Sequence, residues 1–494
     1  MTSVLIALPV AAPLLAAGVL VAAPRAHLLR LVLGVGVALA VLATAVVLAL
    51  QTLDGSVLTE RLGGWPPGIA ITFAADALSA AMIGVSAVVV LACTVFAAAS
   101  TDDVDPRFSP LVLILSAGTY GAYLTADLFT LFVLIELMLA PSYALLTLGG
   151  RRHRLAAGRL YVTINLLAST LFLIGVGLVY GTAGSVNFAV LAGAAAASPA
   201  VAAAASVVLL GLVVKSAIVP AHGWLPATYP YAPPVVTALM SALLTKLGVY
   251  AIMRIYAVVF DGAVEFRWLI MVLALTTMLV GVLGAVGEAA VRPVLTFHMV
   301  SQIGYMVLAL AIFTEVGLAA GVFFMVQYIP VKACLLLAVA AIEVTFGAGR
   351  LNRFGGLARH EPWLAVAFAG GALALVGVPP LSGFVGKLAL LRAAAEDGHY
   401  VAVAVALVVT LITLVSMVKV WNGVFWGHDR EPAGSGSRAV VTRTVQPGLI
   451  APALGLAALG VVLGIAAQPL LLVAETAGQG LLDPAAYVSA VLAP

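Results

Sequence analysis

The chain has 494 residues, of which 64% are hydrophobic and only 9% charged, with a mean hydropathy of +1.20. That balance leaves too little polarity to clothe a water-soluble fold, so the chain belongs in a membrane. A net charge of +3, with no basic run carrying interleaved aromatics, excludes a nucleic-acid partner.

Strand-length alternation is absent, so the spans are read as helices of roughly 20 apolar residues rather than as a β-barrel. In chain order they fall near 3–22, 28–50, 74–99, 109–125, 127–148, 160–180, 201–220, 234–258, 267–287, 293–313, 317–345, 362–392, 400–426 and 447–473, fourteen in all. The opening MTSVLIALPVAAPLLAAGVLVAAPRA imitates a signal peptide but lacks a basic leading region, and is read as a retained first span. The alanine-rich segment 191–206 reads as a connection, and EPAGSGSRAV (431–440) as a flexible loop before the last span. No soluble domain is visible.

Loop cations give an orientation. Connections after odd-numbered spans carry Arg25, Arg30, Arg107, Arg151, Arg152, Arg154, Arg159, Arg292, Arg350, Arg353, Arg359, Arg430, Arg438 and Arg443; those after even-numbered spans carry Arg61, Arg267 and Arg392. The positive-inside rule therefore predicts a multi-pass protein of a bacterial cell membrane with both termini outward. Arg254 is the one arginine placed within a span.

All five lysines, Lys215, Lys246, Lys332, Lys387 and Lys419, fall in apolar segments. Arginine keeps its proton, whereas a desolvated lysine can release one, so buried lysines suit proton transfer. Their spacing repeats: Lys215 to Lys246 is 31 residues and Lys387 to Lys419 is 32. Lys215 is followed by Pro220, and Lys387 is preceded by Pro379 and Pro380 in VGVPPLSGFVGK. Proline-interrupted spans at matching places in two halves mark the conduction site of many transporters. The expected fold is thus all-α and polytopic, with two inverted five-helix repeats and broken helices near 215–222 and 379–387. The expected division is residues 1–108 for the first three helices, 109–260 and 261–426 for the repeats, and 427–494 for a loop and the last helix.

A charge at the centre of a bilayer costs roughly 2.5–3.5 kcal/mol, which makes each deep ionisable group a functional candidate. Glu136 lies mid-span in LFTLFVLIELMLAPSYALL, too deep to reach water by extending its side chain. Lys215, Lys246, Lys332, Lys387 and His298 join it as relay candidates; the alternative for His298 is a core histidine bonded to a neighbouring helix. Lys419, His222, Pro220 and Pro379 are candidates for relay or gating, with Lys419 alternatively reaching the interface and His222 satisfying a loop. Asp76, Asp127, Glu288, Glu315 and Glu343 lie near span ends and read as structural or interfacial, Asp127 as a helix cap. The two cysteines, Cys93 and Cys334, read as inert buried thiols. There is no phosphate loop, dinucleotide fingerprint, HExxH or CxxC, so neither a cofactor nor a metal site nor a catalytic residue is expected.

The stretch KSAIVPAHGWLPATYPYAPPVVTALMSALLTKLGVYAIMRI, beginning at Lys215, resembles the central signature of the antiporter-like membrane subunits. These are shared by NADH:quinone oxidoreductase, membrane hydrogenases and Mrp-type cation/proton antiporters. FHMVSQIGYM, GVPPLSGFVGK and SMVKVWNGVFWG most resemble the D-type branch of the Mrp-type Na+/H+ antiporters. The resemblance implies fourteen helices with two inverted repeats, each holding one broken helix. It implies that Glu136 pairs with Lys215, that Lys246 is the next relay lysine and that Lys387 is the terminal one; Lys332 matches a further lysine, in a turn altered to QYIPVK. It also implies the other subunits of a hetero-oligomeric complex as partners, protons and Na+ or another monovalent cation as cargo, and a transporter rather than an enzyme. The alternative within the same family is a proton-pumping subunit of NADH:quinone oxidoreductase or a hydrogenase.

Overall fold

In a bilayer the backbone must satisfy its own hydrogen bonds, and helices do so segment by segment. The structure, a computed structural model, describes residues 2–23, 27–66, 69–100, 105–347, 355–426 and 444–493. Arg25, Arg350, Arg353, Arg430, Arg438, Arg443 and the EPAGSGSRAV segment lie outside the described residues.

The first six long helices are α1 (Thr2–Ala22), α2 (His27–Gln51), α3 (Ala77–Ala99), α4 (Phe108–Leu124), α5 (Leu128–Thr147) and α6 (Arg152–Ala183). They are followed by α7 (Pro199–Lys215), α8 (Pro234–Val258), α9 (Arg267–Gly287), α10 (Val291–Ile312) and α11 (Glu315–Phe346). Then come α12 (Pro362–Val376), α13 (Ser382–Glu396), α14 (Tyr400–Val424), α15 (Pro447–Ile465), α16 (Gln468–Leu482) and α17 (Ala485–Leu492). Among the described residues eleven helices are long and apolar enough to cross a membrane, and three more, α4, α7 and α12, are apolar but shorter.

Both predicted breaks are present. Helical geometry stops after Lys215 and resumes in a short turn at Trp224–Thr228, and the segment expected as one span over 362–392 is split into α12 and α13. The Val219–Pro220 and Pro379–Pro380 peptides, one in each break, are cis. Each break contains proline, which lacks the N–H that would continue a helix.

Three expectations need correction. The alanine-rich segment is not merely a connection, because α7 begins at Pro199, where proline suits a first helical position and the following alanines are the best helix formers. The last expected span, 447–473, is interrupted by a turn at Ala466–Ala467 that separates α15 from α16, and α17 follows. Finally, the region before α3 contains an antiparallel hairpin of β1 (Leu58–Leu62) and β2 (Ile71–Ala75), with Leu58 opposite Ala75 and Leu62 opposite Ile71. The ITFAA strand runs directly into the apolar helix, and a short apolar run does not reveal its own period. Thr72 O accepts from Ala126 N at 2.9 Å, so the hairpin also covers the α4–α5 turn.

The helices are not equally enclosed. The apolar stretches of α8 and α11 are 100% buried within the protein and that of α10 is 94% buried, whereas α1, α2, α14 and α15 bury 33%. These three helices therefore form the enclosed centre of the bundle. Close packing holds α10 to α9: a Cβ at Gly304 would lie 2.6 Å from Ala274 O and 2.7 Å from Met278 N, so only glycine fits.

Candidate functional site

Glu136 on α5 and Lys215 at the end of α7 converge on a third residue. Lys215 Nζ donates to Ser169 Oγ at 2.7 Å, and Ser169 Oγ donates to Glu136 Oε1. The direct Lys215 Nζ to Glu136 Oε1 separation is 3.4 Å, so the serine is the tighter contact for the lysine. Lys215 is 6% exposed and Glu136 29%, which makes the carboxylate the open end of the pair.

The break after Lys215 is held from several sides. Trp224 Nε1 donates to Val214 O at 2.9 Å, and Val219 N donates to Thr277 Oγ1 of α9 at 3.1 Å. Tyr161, Trp224 and Tyr229 pack against one another with centroids 5.6–6.1 Å apart. Beside Lys215 lies a cavity of about 10 Å³, bordered by Tyr161, Asn165, Trp224 and Gly248. That is room for about one water. Gly248 leaves room for the break, because a methyl group there would meet Ser216 Oγ unless that hydroxyl turned away.

The remaining relay candidates sit on or against the enclosed helices. Lys246 Nζ donates to Ser241 O at 2.7 Å and Thr245 Oγ1 at 3.2 Å, and stands 4.7 Å over the Tyr328 ring. Lys332 Nζ donates to Leu295 O. His298, three residues on and on the same face of α10, shares a 2.9 Å hydrogen bond between Nε2 and Ser416 Oγ, while its buried Nδ1 has no protein partner. Lys387 Nζ donates to Leu375 O at 3.0 Å and Val376 O at 2.9 Å, the last carbonyls of α12. A lysine there complements the negative end of the half-helix. The Lys387 ammonium also lies 5.1 Å from the Tyr305 ring.

One arrangement was not expected. The rings of Tyr328, Phe324 and Tyr305 stack in sequence, with centroids 6.2 and 5.4 Å apart. Lys246 stands over the first ring and Lys387 over the last, so one aromatic column carries a lysine at each end. Tyr305 OH is fixed by Ala406 O at 2.6 Å and Thr410 Oγ1 at 3.0 Å.

The other candidates lie apart. Lys419 is exposed and donates to Val286 O at 2.8 Å and Glu288 O at 2.7 Å, closing the C-terminal end of α9. His222 is half-buried in the break, with Nδ1 lacking a protein partner, and no hydrogen bond joins it to Glu136 or Lys215. Pro220 and Pro379 occupy the two breaks. Asp127 caps α5 by accepting from Thr130 N at 2.6 Å, Glu343 pairs with Arg292 at 2.7 Å, and Glu315 accepts from Gln479 at 2.8 Å. Both cysteines are buried and free. Among the described residues no three His, Cys, Asp or Glu side chains gather as metal ligands.

Sequence reasoning missed Ser169, Phe324 and Tyr305. Ser169 could have been found by its place four residues after Asn165, which puts two polar groups on one face of α6, both buried.

The family model described as "NADH:quinone oxidoreductase/Mrp antiporter, TM" matches residues 125–413. The D-type subunit of the Na(+)/H(+) antiporter of Alkalihalophilus pseudofirmus is 35% identical over 494 residues, covering 99% of each chain. A chain in the structure of the Mrp complex from Dietzia sp. DQ12-45-1b superposes with a TM-score of 0.95 at 45% identity, covering 99% of each chain. A chain of respiratory complex I from Thermus thermophilus superposes at 0.77 over 98% of this chain and 100% of that one; at 24% identity this likeness speaks to the fold alone. With more than half its length in the family model and a full-length relative at 35% identity, the chain belongs to the family of NADH:quinone oxidoreductase/Mrp antiporter membrane subunits.

Proposed function

We propose that this chain is the proton-translocating subunit of a multisubunit Na+/H+ antiporter, a transporter component and not an enzyme. The relatives named as D-type antiporter subunits and the Mrp complex chain support that assignment along the full length. The observation that carries the proton role is the Glu136–Ser169–Lys215 contact at a helix break, with three further buried lysines beyond it.

Protons enter the membrane part of the chain at Glu136, the more open partner, and pass to Lys215. When the carboxylate is neutralised or drawn away, Lys215 gives its proton toward Lys246 through the water-sized cavity by Gly248. Lys332, His298 and ordered water carry it on to Lys387. The proton gradient drives the expulsion of Na+ or another monovalent cation by the assembled complex. The four-part division of the chain, its two inverted repeats and the outward-facing termini complete the proposal, supported by the repeated lysine spacing and the loop arginines.

The test is Lys215→Arg, which keeps the charge and removes ready deprotonation. The whole complex is expressed in an antiporter-deficient host, and Na+-dependent proton movement is followed in everted vesicles. Exchange should be abolished, and Glu136→Gln should abolish it too. Wild-type exchange by either variant would sink the relay. Co-purification with iron–sulfur and quinone-site subunits, in place of small antiporter subunits, would move the chain to the redox branch of the family.

A further inference from the structure

The pair at the start of the relay is joined less by its charges than by the hydroxyl between them. A serine hydroxyl has one hydrogen to give and lone pairs to receive with. In the ionised pair it has one arrangement open: it accepts from the Lys215 ammonium at 2.7 Å and donates to Glu136 Oε1. Lys215 Nζ lies 3.4 Å from the carboxylate, the longer of its two contacts here. Ser169 is 6% exposed, so bulk water does not compete for either bond.

We propose that Ser169 is the proton conductor between Lys215 and Glu136, so that transfer within the pair runs through its oxygen. This rests on the relay proposed above and adds a member to it. In one direction a Lys215 N–H bond breaks as a Ser169 O–H bond forms, while the original Ser169 O–H breaks and an O–H bond forms on Glu136. Ammonium and carboxylate become amine and carboxylic acid, with no atom gained or lost. Afterwards the hydroxyl points the other way, donating to the Lys215 amine and accepting from the Glu136 acid. The reverse transfer resets it. Both end states keep every partner satisfied, which a bare contact across 3.4 Å does not provide.

The inference separates two functions that a simple ion pair would merge. Attraction between Glu136 and Lys215 survives loss of the hydroxyl, whereas proton transfer between them does not. Ser169→Ala keeps the charges and almost the same volume, so assembly should be normal while exchange in everted vesicles of the whole complex falls by about tenfold or more. Ser169→Thr restores a hydroxyl at the same place and should recover most of the rate; Ser169→Cys, with a weaker donor, should fall between. Alanine at full rate in a complex that Glu136→Gln inactivates would overturn the conductor and leave the relay standing. Threonine no better than alanine, at equal complex abundance, would also overturn it. An active Glu136→Gln would instead remove the relay on which it rests.

Discussion

Asp76 and Arg254, 178 residues apart, form an ion pair of 2.6 Å between the residue that caps α3 and the C-terminal part of α8. The carboxylate also caps α3 by accepting from Ser79 N at 2.9 Å. The guanidinium is 3% exposed and lies 4.7 Å from the Tyr487 ring of α17. One arginine thus fastens the far end of the Lys246 helix to two other parts of the chain.

Removing one partner leaves the other charge buried without compensation, at a cost of about 3–5 kcal/mol. Arg254→Gln and Asp76→Asn should each lower the amount of complex recovered from membranes and its melting temperature in detergent. Lys246→Gln, at no such anchor, should leave both near wild type while stopping exchange. If the Asp76 and Arg254 variants melt as wild type does, the pair is not an anchor.

Gly248→Ala pushes a methyl group onto Ser216 Oγ at the break. Overpacking of this kind costs about 1–3 kcal/mol, and here it falls on the residue next to Lys215. Exchange should drop. The double variant Gly248→Ala with Ser216→Ala removes the obstructing oxygen and should regain activity, since the next atom is 3.4 Å from the added carbon. A double variant as impaired as the single one would refute the steric account.

Lys419 closes α9 from the exposed side of the bundle, and its loss should cost about 0.3–1 kcal/mol through the helix end alone. Lys419→Gln is therefore expected to exchange at close to the wild-type rate, while Lys387→Gln is not expected to exchange at all. Equal loss in the two variants, at equal complex abundance, would place Lys419 back among the relay groups.

The buried lysines were legible because a titratable group within an apolar run has few explanations, and the breaks because each carries a proline. For Lys419 the sequence leaves relay, gating and the interface open, because it gives position along a helix but not the direction the side chain faces. Ser169 went unseen for the opposite reason. Serine is common in membrane helices, and what distinguishes this one is the approach of α5 and α7 from residues 33 and 46 positions away. Asp76 and Arg254 were each noticed singly, but nothing local to either names the other. The hairpin was hidden because its second strand is as apolar as the helix it precedes.

The enclosure of α8, α10 and α11 has a bearing on how the surroundings reach the relay. Stretching, thinning or recomposing the bilayer would act first on the less enclosed helices, and on the inner three only through them. Gly304 presses α10 against the α9 backbone with no slack for sliding. Regulation of this chain should therefore arrive through its neighbours in the complex and through the two breaks. Membrane tension has no direct grip on the helices that hold Lys246, His298 and Lys332.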